Sequence, residues 1–313
     1  MLTSKSPRKV MRVAYELGLR CLPKHASRFS RRDFTLPQLF ACLVLREHQK
    51  KSYRGVEALL LDAPHWCREI GMRRVPDHNT LCRAWGVIVR HGKIGRMLDL
   101  LAKWFEKAGR LGTLLAVDAS YFEAGHASRY YERRCRRMAG ERPDKRGSYT
   151  RAANLNRLPK LAVGVDARGH AVLSATASTG ASGDGPAFDP VVFGAWRRSE
   201  RIKRVVADAG YDSEPNHRIA RLDMGLLSIM PATAGRRHKS GKPTGRYRRM
   251  MQARFRRDGG GPLCRQRAQA GCVNSMIKRN LGSGLRCKTA ERRELEMLLR
   301  VVVHNIMLLW HKA

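Results

Sequence analysis

The chain has 313 residues, 43% hydrophobic and 7% aromatic, a globular composition whose length favours two domains over one. Lysine and arginine number 62 against 26 acidic residues, which gives a formal net charge of +36. Positive charges at this density repel one another unless a polyanion lies close, so nucleic acid is the expected partner. The competing interpretation is a protein bound to a membrane surface, but the sequence has no amphipathic anchor or lipidation motif to support it.

Residues 1–110 predict a succession of short basic helices, and the N-terminus lacks the apolar stretch of a signal peptide. Residues 35–49 have apolar side chains at helical spacing, with Thr35 as N-cap and Pro37 in the first turn. Further helices are predicted at 52–62 and within 76–109, where Asp77 and Thr80 are start signals. This pattern is compatible with a helix-turn-helix domain that binds DNA, and equally with a helical packing domain.

From residue 111 the pattern changes to alternating strands and helices, which predicts an α/β domain over 111–313. Strands are predicted at 111–120, 201–213 and 226–233, and a hairpin over 159–178 turns between Asp166 and His170. Helices are predicted at 185–200 and directly after 213, and two more complete the chain. Asp166 belongs to the hairpin turn and needs no function.

A basic insertion around 236–262 interrupts this second domain. Residues 236–257 contain ten lysines and arginines and no acid, which predicts a loop that is either solvated or in contact with a polyanion; we favour contact with nucleic acid. Tyr247 and Phe255 could stack on bases or anchor the loop on the core. The candidate DNA-binding residues of this segment are Arg236, Arg237, Arg248 and Arg249.

Asp118 and Asp208 each end an apolar strand, in "LLAVDAS" and "VVADAGYDS". Acids at the carboxyl ends of strands face the crevice where open sheets bind ligands, and two neighbouring acids are stable only with a cation between them. Hard oxygen ligands beside a phosphate substrate indicate Mg²⁺ or Mn²⁺. The alternative is that either aspartate caps a following turn, which is our interpretation of Asp212, before Ser213 and Pro215.

Several stretches together resemble the bacterial insertion-sequence transposases of the DDE type. They include "YRGVEALLLD" and "RVPDHNTLCR" in the N-terminal part, and "VDASYFEAGHASRYYERR", "VVADAGYDSEPNHRIAR" and "VNSMIKRNLGSGLR" further on. The resemblance implies a catalytic domain with a ribonuclease-H-like mixed sheet flanked by helices, preceded by a small all-α domain. It also implies that Asp118 and Asp208 are the first two metal-binding acids.

The third acid of these enzymes lies on a late helix, in a signature of Tyr, Arg, Glu and Lys. On this chain the signature falls on Cys264, Arg267, Gly271 and Lys278, within a segment, 264–280, that predicts one helix. Arg267 and Lys278 fit and are candidate DNA-binding residues. Cys264 departs from the tyrosine, and Gly271 stands in place of the catalytic glutamate, although glycine costs a helix interior about 1 kcal/mol.

Another acid could replace the missing glutamate, and nearby thiols and imidazoles could have roles of their own. Asp258, before three glycines, could swing inward, whereas the acids at 291, 294 and 296 lie on the next helix. The eight cysteines have no metal-binding spacing, so we interpret those at 264, 272 and 287 as incidental. His126 and His217 could orient a phosphate, but core or surface roles are the simpler interpretation.

The resemblance implies a transposase that binds element ends and carries out metal-dependent DNA cleavage and strand transfer, with Gly271 making this copy's activity doubtful. Its partners would be double-stranded DNA, as terminal inverted repeats and target DNA, and a second copy of the chain. The alternative is a non-catalytic remnant that occupies element ends; an RNA-binding basic protein fits the charge but not the paired acids. We expect a cytoplasmic protein at the nucleoid, without a membrane span.

Overall fold

The computed structural model describes residues 3–124, 159–179, 183–233 and 243–309. Six helices precede the first strand: α1 (Pro7–Cys21), α2 (Leu36–His48), α3 (Tyr53–Asp62), α4 (Pro64–Glu69), α5 (His78–Ile88) and α6 (His91–Lys107). The central elements are β1 (Leu114–Tyr121), β2 (Glu123–Ala124), β3 (Pro159–Asp166), β4 (Val172–Thr179), α7 (Phe188–Trp196), β5 (Arg204–Ala207), α8 (Glu214–Arg218) and β6 (Leu227–Ile229). The last elements are α9 (Arg246–Asp258), α10 (Gly261–Arg265), α11 (Ala268–Leu281), β7 (Gly284–Leu285) and α12 (Ala290–Leu309).

The N-terminal helices begin where side chains can satisfy their first N–H groups. Thr35 caps α2, as the sequence predicts, and Gln38 completes a reciprocal capping box with it. Asp77 caps α5 by accepting hydrogen bonds from the Asn79 and Thr80 amides. The predicted helical character of this region is confirmed, with α4 as an element that the sequence pattern did not reveal.

Five strands form one mixed sheet in the order β4-β3-β1-β5-β6. β1 pairs antiparallel with β3 and parallel with β5, and β6 extends the parallel side. The predicted hairpin is the antiparallel pair β3–β4. The Asp166 carboxylate accepts a hydrogen bond from the Gly112 amide (2.7 Å) beside the hairpin turn, so its role is structural.

Helices cover both faces of the sheet because successive strand residues point to opposite sides. Leu115 and Val117 of β1 pack with α7, whereas Ala116 packs in a second core with α11 and α12. The N-terminal helices α1 and α2 contribute to this second core. A mixed sheet flanked by helices and preceded by a helical region confirms the predicted fold class.

Arg300, on α12, links the N-terminal helices to the elements that surround the sheet. Its side chain is fully buried, with Nε 3.4 Å from Glu47 Oε2 on α2 and Nη2 2.8 Å from Glu296 Oε1. The guanidinium also donates to the carbonyl oxygens of Gly282, directly after α11, and of Gly284 in β7, each at 2.7 Å. A buried charge is tolerated only with such complete pairing, so Arg300 fixes the end of α11 against α2.

Two predicted segments differ in the structure. Residues 246–258 form the helix α9 rather than a loop, since Met251 is buried and gives the basic segment an apolar contact. The predicted single helix over 264–280 is wrong, because the chain turns at Gln266 and Arg267 between α10 and α11. In the described residues, no helix combines the length and the apolar character needed to cross a bilayer.

Candidate active site

Asp118 and Asp208 lie side by side at one edge of the sheet. The parallel β1–β5 register ends at Val117 and Ala207, and each of the two aspartates directly follows its member of that pair. Asp118 still belongs to β1 and pairs with Val163 of β3, whereas Asp208 begins the 3-10 turn Ala209–Tyr211. The Asp208 side chain accepts no capping hydrogen bond from this turn, which argues against the alternative that Asp208 is only a cap.

The Asp118 carboxylate is held in an unfavourable environment. Burial raises its pKa, and the negative charges of Asp184 and Asp208 raise it further, whereas a hydrogen bond from Asn274 opposes the shift. Asn274 Nδ2 donates to Asp118 Oδ2 over 3.2 Å. The Asp208 carboxylate is paired instead with Arg267, whose Nη1 lies 3.0 Å from Oδ1. Each acid is therefore contacted by one side chain from α11 or the turn before it.

Gly271 lies in the first turn of α11, directly above Asp118. A Cβ atom built on Gly271 would lie 3.7 Å from Asp118 Oδ2, and among the described residues no other heavy atom outside its own helix turn comes within 4 Å. Asn274, one turn further along α11, is the residue that contacts the same carboxylate oxygen. Position 271 thus faces the first acid and has room for a side chain.

Lys278 lies on the same helix but contacts the strand rather than the acids. Its Nζ donates to Ser120 Oγ over 2.6 Å and lies 5.3 Å from the centre of the Phe122 ring. Burial lowers the pKa of Lys278, while the negative charges of Glu123 and Asp118 oppose the change. The ammonium group therefore fastens α11 to β1 at the end of the site.

Asp184 is a third acid near this edge that sequence reasoning missed. A Cβ atom on Gly210, two residues after Asp208, would lie only 2.8 Å from Asp184 Oδ2, so the carboxylate is packed on the Asp208 turn. Asp184 forms an ion pair with the buried Lys160 of β3. The isolated lysine in "PKLAVGVD" was the available signal, because a buried lysine requires an acidic partner.

Two buried polar atoms at the site have no hydrogen-bond partner among the described residues: the Tyr211 hydroxyl and Asn274 Oδ1. Burial raises the pKa of Tyr211, and the charges of Asp184, Asp118 and Asp208 add to the shift. Unused oxygen atoms beside carboxylates suit a hard divalent cation such as Mg²⁺ or Mn²⁺. The chemistry of these donors fits such an ion, and Asp118 and Asp208 would be its charged ligands.

A complete metal-binding acid cluster is nevertheless missing. Within 3–124, 159–179, 183–233 and 243–309, no group of three or more His, Cys, Asp or Glu side chains could hold a metal ion. Asp258, the proposed substitute, accepts a hydrogen bond from the Gly260 amide (3.0 Å) and contacts Arg257. Glu294 binds Thr179, and Glu296 is paired with Arg300. The described hydrogen bonds and ion pairs of these three acids are made with residues other than Asp118 and Asp208.

The candidate DNA-binding residues of the basic segment have different surroundings. Arg248 is half-buried, with Nε 2.9 Å from Asp212 Oδ2 and Nη2 2.6 Å from the Thr233 carbonyl oxygen. Arg249 is exposed on α9. Phe255 packs against the core, as one of its two predicted roles required. Arg236, Arg237 and His126 lie outside the described residues.

Asp212 fastens α9 to this edge of the sheet. Burial acts to raise its pKa, but hydrogen bonds from His217 and Arg248 lower it to about 2. Ser213 caps α8, so the interpretation of Asp212 as the helix cap is wrong. His217 is fully buried and lies 2.7 Å from Ser228 Oγ through Nδ1. Its environment is that of a core histidine.

The comparisons with known proteins identify one family. The family model described as "Transposase DDE domain" matches residues 109–306, more than half of the chain. No curated protein and no solved structure matches the chain. The matched range contains Asp118, Asp208 and all of α11.

We predict that Asp118 and Asp208 bind Mn²⁺ together. Either Asp118→Asn or Asp208→Asn should weaken binding at least about tenfold, because each removes a charged ligand from an ion that has only two. Titration calorimetry in metal-free buffer measures this. Asp258→Asn is the matched control and should bind like the wild type. Equal affinity in wild type and Asp118→Asn would show that the two acids form no site.

The two pKa shifts predict opposite stability effects for two aspartates. The raised pKa of Asp118 means that its ionised form costs stability at neutral pH, so Asp118→Asn should be at least as stable as the wild type. Asp212 has a lowered pKa and contributes stability above about pH 4 that is lost as the pH falls to about 2.

Urea denaturation at pH 7 with a chelator tests this contrast. Asp212→Asn should lose roughly 2 kcal/mol of unfolding free energy, and the loss should shrink as the pH is lowered toward 2. A clear destabilisation by Asp118→Asn, or none by Asp212→Asn, would contradict the electrostatic description of this edge.

Proposed function

The chain belongs to the transposases with a DDE domain, and we propose that it is the DNA transposase of an insertion sequence. In this proposal residues 1–110 bind the terminal inverted repeats, and residues 111–313 cleave the element ends and transfer the freed strand into target DNA. Two copies of the chain act together on the two ends. Catalysis by the present copy is impaired, because Gly271 replaces the third acid.

The observation that supports this proposal best is the position of Gly271. Its Cβ position lies 3.7 Å from Asp118 Oδ2, so a glutamate side chain there has its carboxylate within reach of the two aspartates. The family signature requires a glutamate at this residue. The spacing of the signature and the position of Gly271 beside Asp118 therefore support the same residue independently.

Asp118 and Asp208 would hold Mg²⁺ or Mn²⁺. Such ions, when bound, activate the attacking oxygen and stabilise the leaving oxygen of a phosphodiester. Arg267 neutralises Asp208 in this structure, and its exposed guanidinium is suited to a DNA phosphate when Asp208 has another cationic partner. Without a third acid the ion is less well positioned, and positioning supplies much of the rate of phosphoryl transfer.

The second candidate is a non-catalytic protein that binds and occupies element ends. The specific observation in its favour is the same glycine, because the described contacts of Asp258, Glu294 and Glu296 give no replacement acid. The two candidates share DNA binding and differ only in cleavage. Metal-dependent nicking is therefore the measurement that separates them.

We predict that Gly271→Glu restores Mn²⁺-dependent nicking of end DNA, whereas the wild type nicks slowly or not at all. Gly271→Gln is the matched control, since glutamine has nearly the same size and helix propensity but no charge. Nicking is measured on supercoiled plasmid carrying the element ends. Equal activity in all three proteins would contradict the assignment of position 271 as the place of the third acid. If that activity were high, another acid would supply the ligand, and Asp258→Asn would be the next variant to measure.

Thermal unfolding gives a second readout for the same variants. Without metal, Gly271→Glu adds a negative charge close to Asp118 and should gain less stability than Gly271→Gln. Addition of Mn²⁺ should raise the melting temperature of Gly271→Glu more than that of Gly271→Gln. This comparison detects a restored ligand even where the remaining active site has lost its catalytic geometry.

We also predict that the exposed arginines of α9 contribute to DNA affinity. If six to ten phosphates are neutralised, log affinity should fall with log salt at a slope of roughly −5 to −9. Replacing the exposed Arg246, Arg249 and Arg256 with glutamine should reduce the size of that slope by up to about 2.7.

The control for this measurement carries the same charge change at the opposite edge of the sheet. Arg201, Lys203 and Arg204 are exposed at the start of β5, whereas Asp208 follows its end. Replacing these three with glutamine should change the slope less than the α9 replacement does. Fluorescence anisotropy on duplex DNA measures both, and equal slopes for the two triple variants would remove α9 from the proposed interface.

A further inference from the structure

The loop between α1 and α2, residues 23–34, is closed and internally braced. We call it the Phe29 loop. Its base is closed by a hydrogen bond from the Leu36 amide to the Lys24 carbonyl oxygen (2.9 Å). Asp33 forms an ion pair with Arg74, whose guanidinium also lies 5.4 Å from the centre of the Phe34 ring. These contacts attach the loop to the connection before α5.

The tip of the Phe29 loop is shaped by two serines. The Ser27 amide donates to Ser30 Oγ over 3.0 Å, and the Ser30 amide donates back to the Ser27 carbonyl oxygen over 3.2 Å. The Phe29 amide donates to Ser27 Oγ over 3.3 Å. The tip is therefore a hydrogen-bonded turn that presents its central side chains outward.

Phe29 at this tip is unusually exposed for an aromatic residue. Its side chain is 82% exposed, whereas the next most exposed large hydrophobic residue in the described part of the chain, Leu61, is 62% exposed. The Arg28 guanidinium stacks 4.7 Å from the ring centre. A phenylalanine left in water gains none of the free energy of burial, so an exposed ring on a braced turn suggests a binding partner.

The charge around the ring identifies the chemistry of that partner. Lys24, Arg28, Arg31 and Arg32 are exposed on the same loop. The single acid of the loop, Asp33, is already paired with Arg74. Clustered cations beside an apolar ring match a polymer that combines phosphates with flat aromatic groups. Nucleic acid has both, whereas an acidic protein surface supplies only the charge.

We infer that the Phe29 loop is a DNA-contacting element in which Phe29 stacks on a base at an unpaired or distorted step while the neighbouring arginines bind phosphates. The inference rests on the proposed DNA-binding function and adds a contact that the catalytic domain does not provide. Aromatic stacking on a base is worth about 1–3 kcal/mol.

The position of the loop relative to α11 follows from the length of α2. The loop precedes the first residue of α2, and just beyond the other end of α2 Lys50 Nζ donates to the Arg279 carbonyl oxygen of α11. A helix of thirteen residues is about 20 Å long. The base of the loop therefore lies about 20 Å from the C-terminal end of α11.

The test is the affinity of the full chain for two labelled duplexes, one fully paired and one with a single unpaired base. Phe29→Ala should weaken binding to the second duplex roughly 5- to 160-fold, with an unchanged salt slope because no charge is lost. Arg31→Gln should reduce the size of the salt slope by about 0.9. Leu61→Ala, a similarly exposed apolar residue on α3, should bind like the wild type.

Heparin, which carries anionic charge but no bases, separates stacking from charge. Phe29→Ala should bind heparin like the wild type; a parallel loss on heparin would overturn the inference, because the effect would then lie in charge or folding. Equal DNA affinity of Phe29→Ala and Leu61→Ala would overturn it too. A wild type that binds neither duplex would instead refute the proposed DNA-binding function, and with it this contact.

Discussion

The parallel pairing of β1 with β5 is the constraint on which the site depends. Its register places Asp118 and Asp208 at the same edge, where the two carboxylates repel each other and one of them is half-buried. The surrounding structure offsets this repulsion with a separate donor for each acid. Asn274 contacts Asp118 and Arg267 pairs with Asp208, so α11 and the turn before it are attached to the sheet partly through the charges that the sheet creates.

The features that follow from short-range patterns could be predicted from the sequence. Thr35 and Asp77 begin helices because their side-chain oxygens accept from free amides a few residues later. Asp118 and Asp208 were found because each ends an apolar run, and the parallel sheet that joins them is expected of alternating strands and helices. The third-acid position required the family signature, since a glycine carries no chemical signal of a missing carboxylate.

The features that depend on long-range contacts were missed. Asp184 lies 24 residues before Asp208 in the sequence. Only the packing of Asp184 on Gly210 shows that the two acids are neighbours in the structure. Arg248 belongs to a one-signed basic run, which predicts solvent or DNA contact, yet it is paired with Asp212. Likewise, the basic segment from 246 forms a helix because Met251 buries one face. A run of basic residues indicates a polyanionic partner, but it does not show which individual side chain binds that partner.

The raised pKa of Asp118 helps to decide whether Gly271 reflects the loss of a metal ligand. A buried carboxylate with a raised pKa costs stability at neutral pH, and a protein selected only for folding or for passive DNA binding gains from its removal. Asp118 is still present, and Arg267 and Lys278 of the signature are present with it. The unfavourable charges of the site remain while one ligand of the expected cation is absent. Two of the four signature positions, Cys264 and Gly271, depart from the family pattern. We therefore propose that this combination reflects side chains lost from a former active site rather than a protein shaped throughout for binding alone.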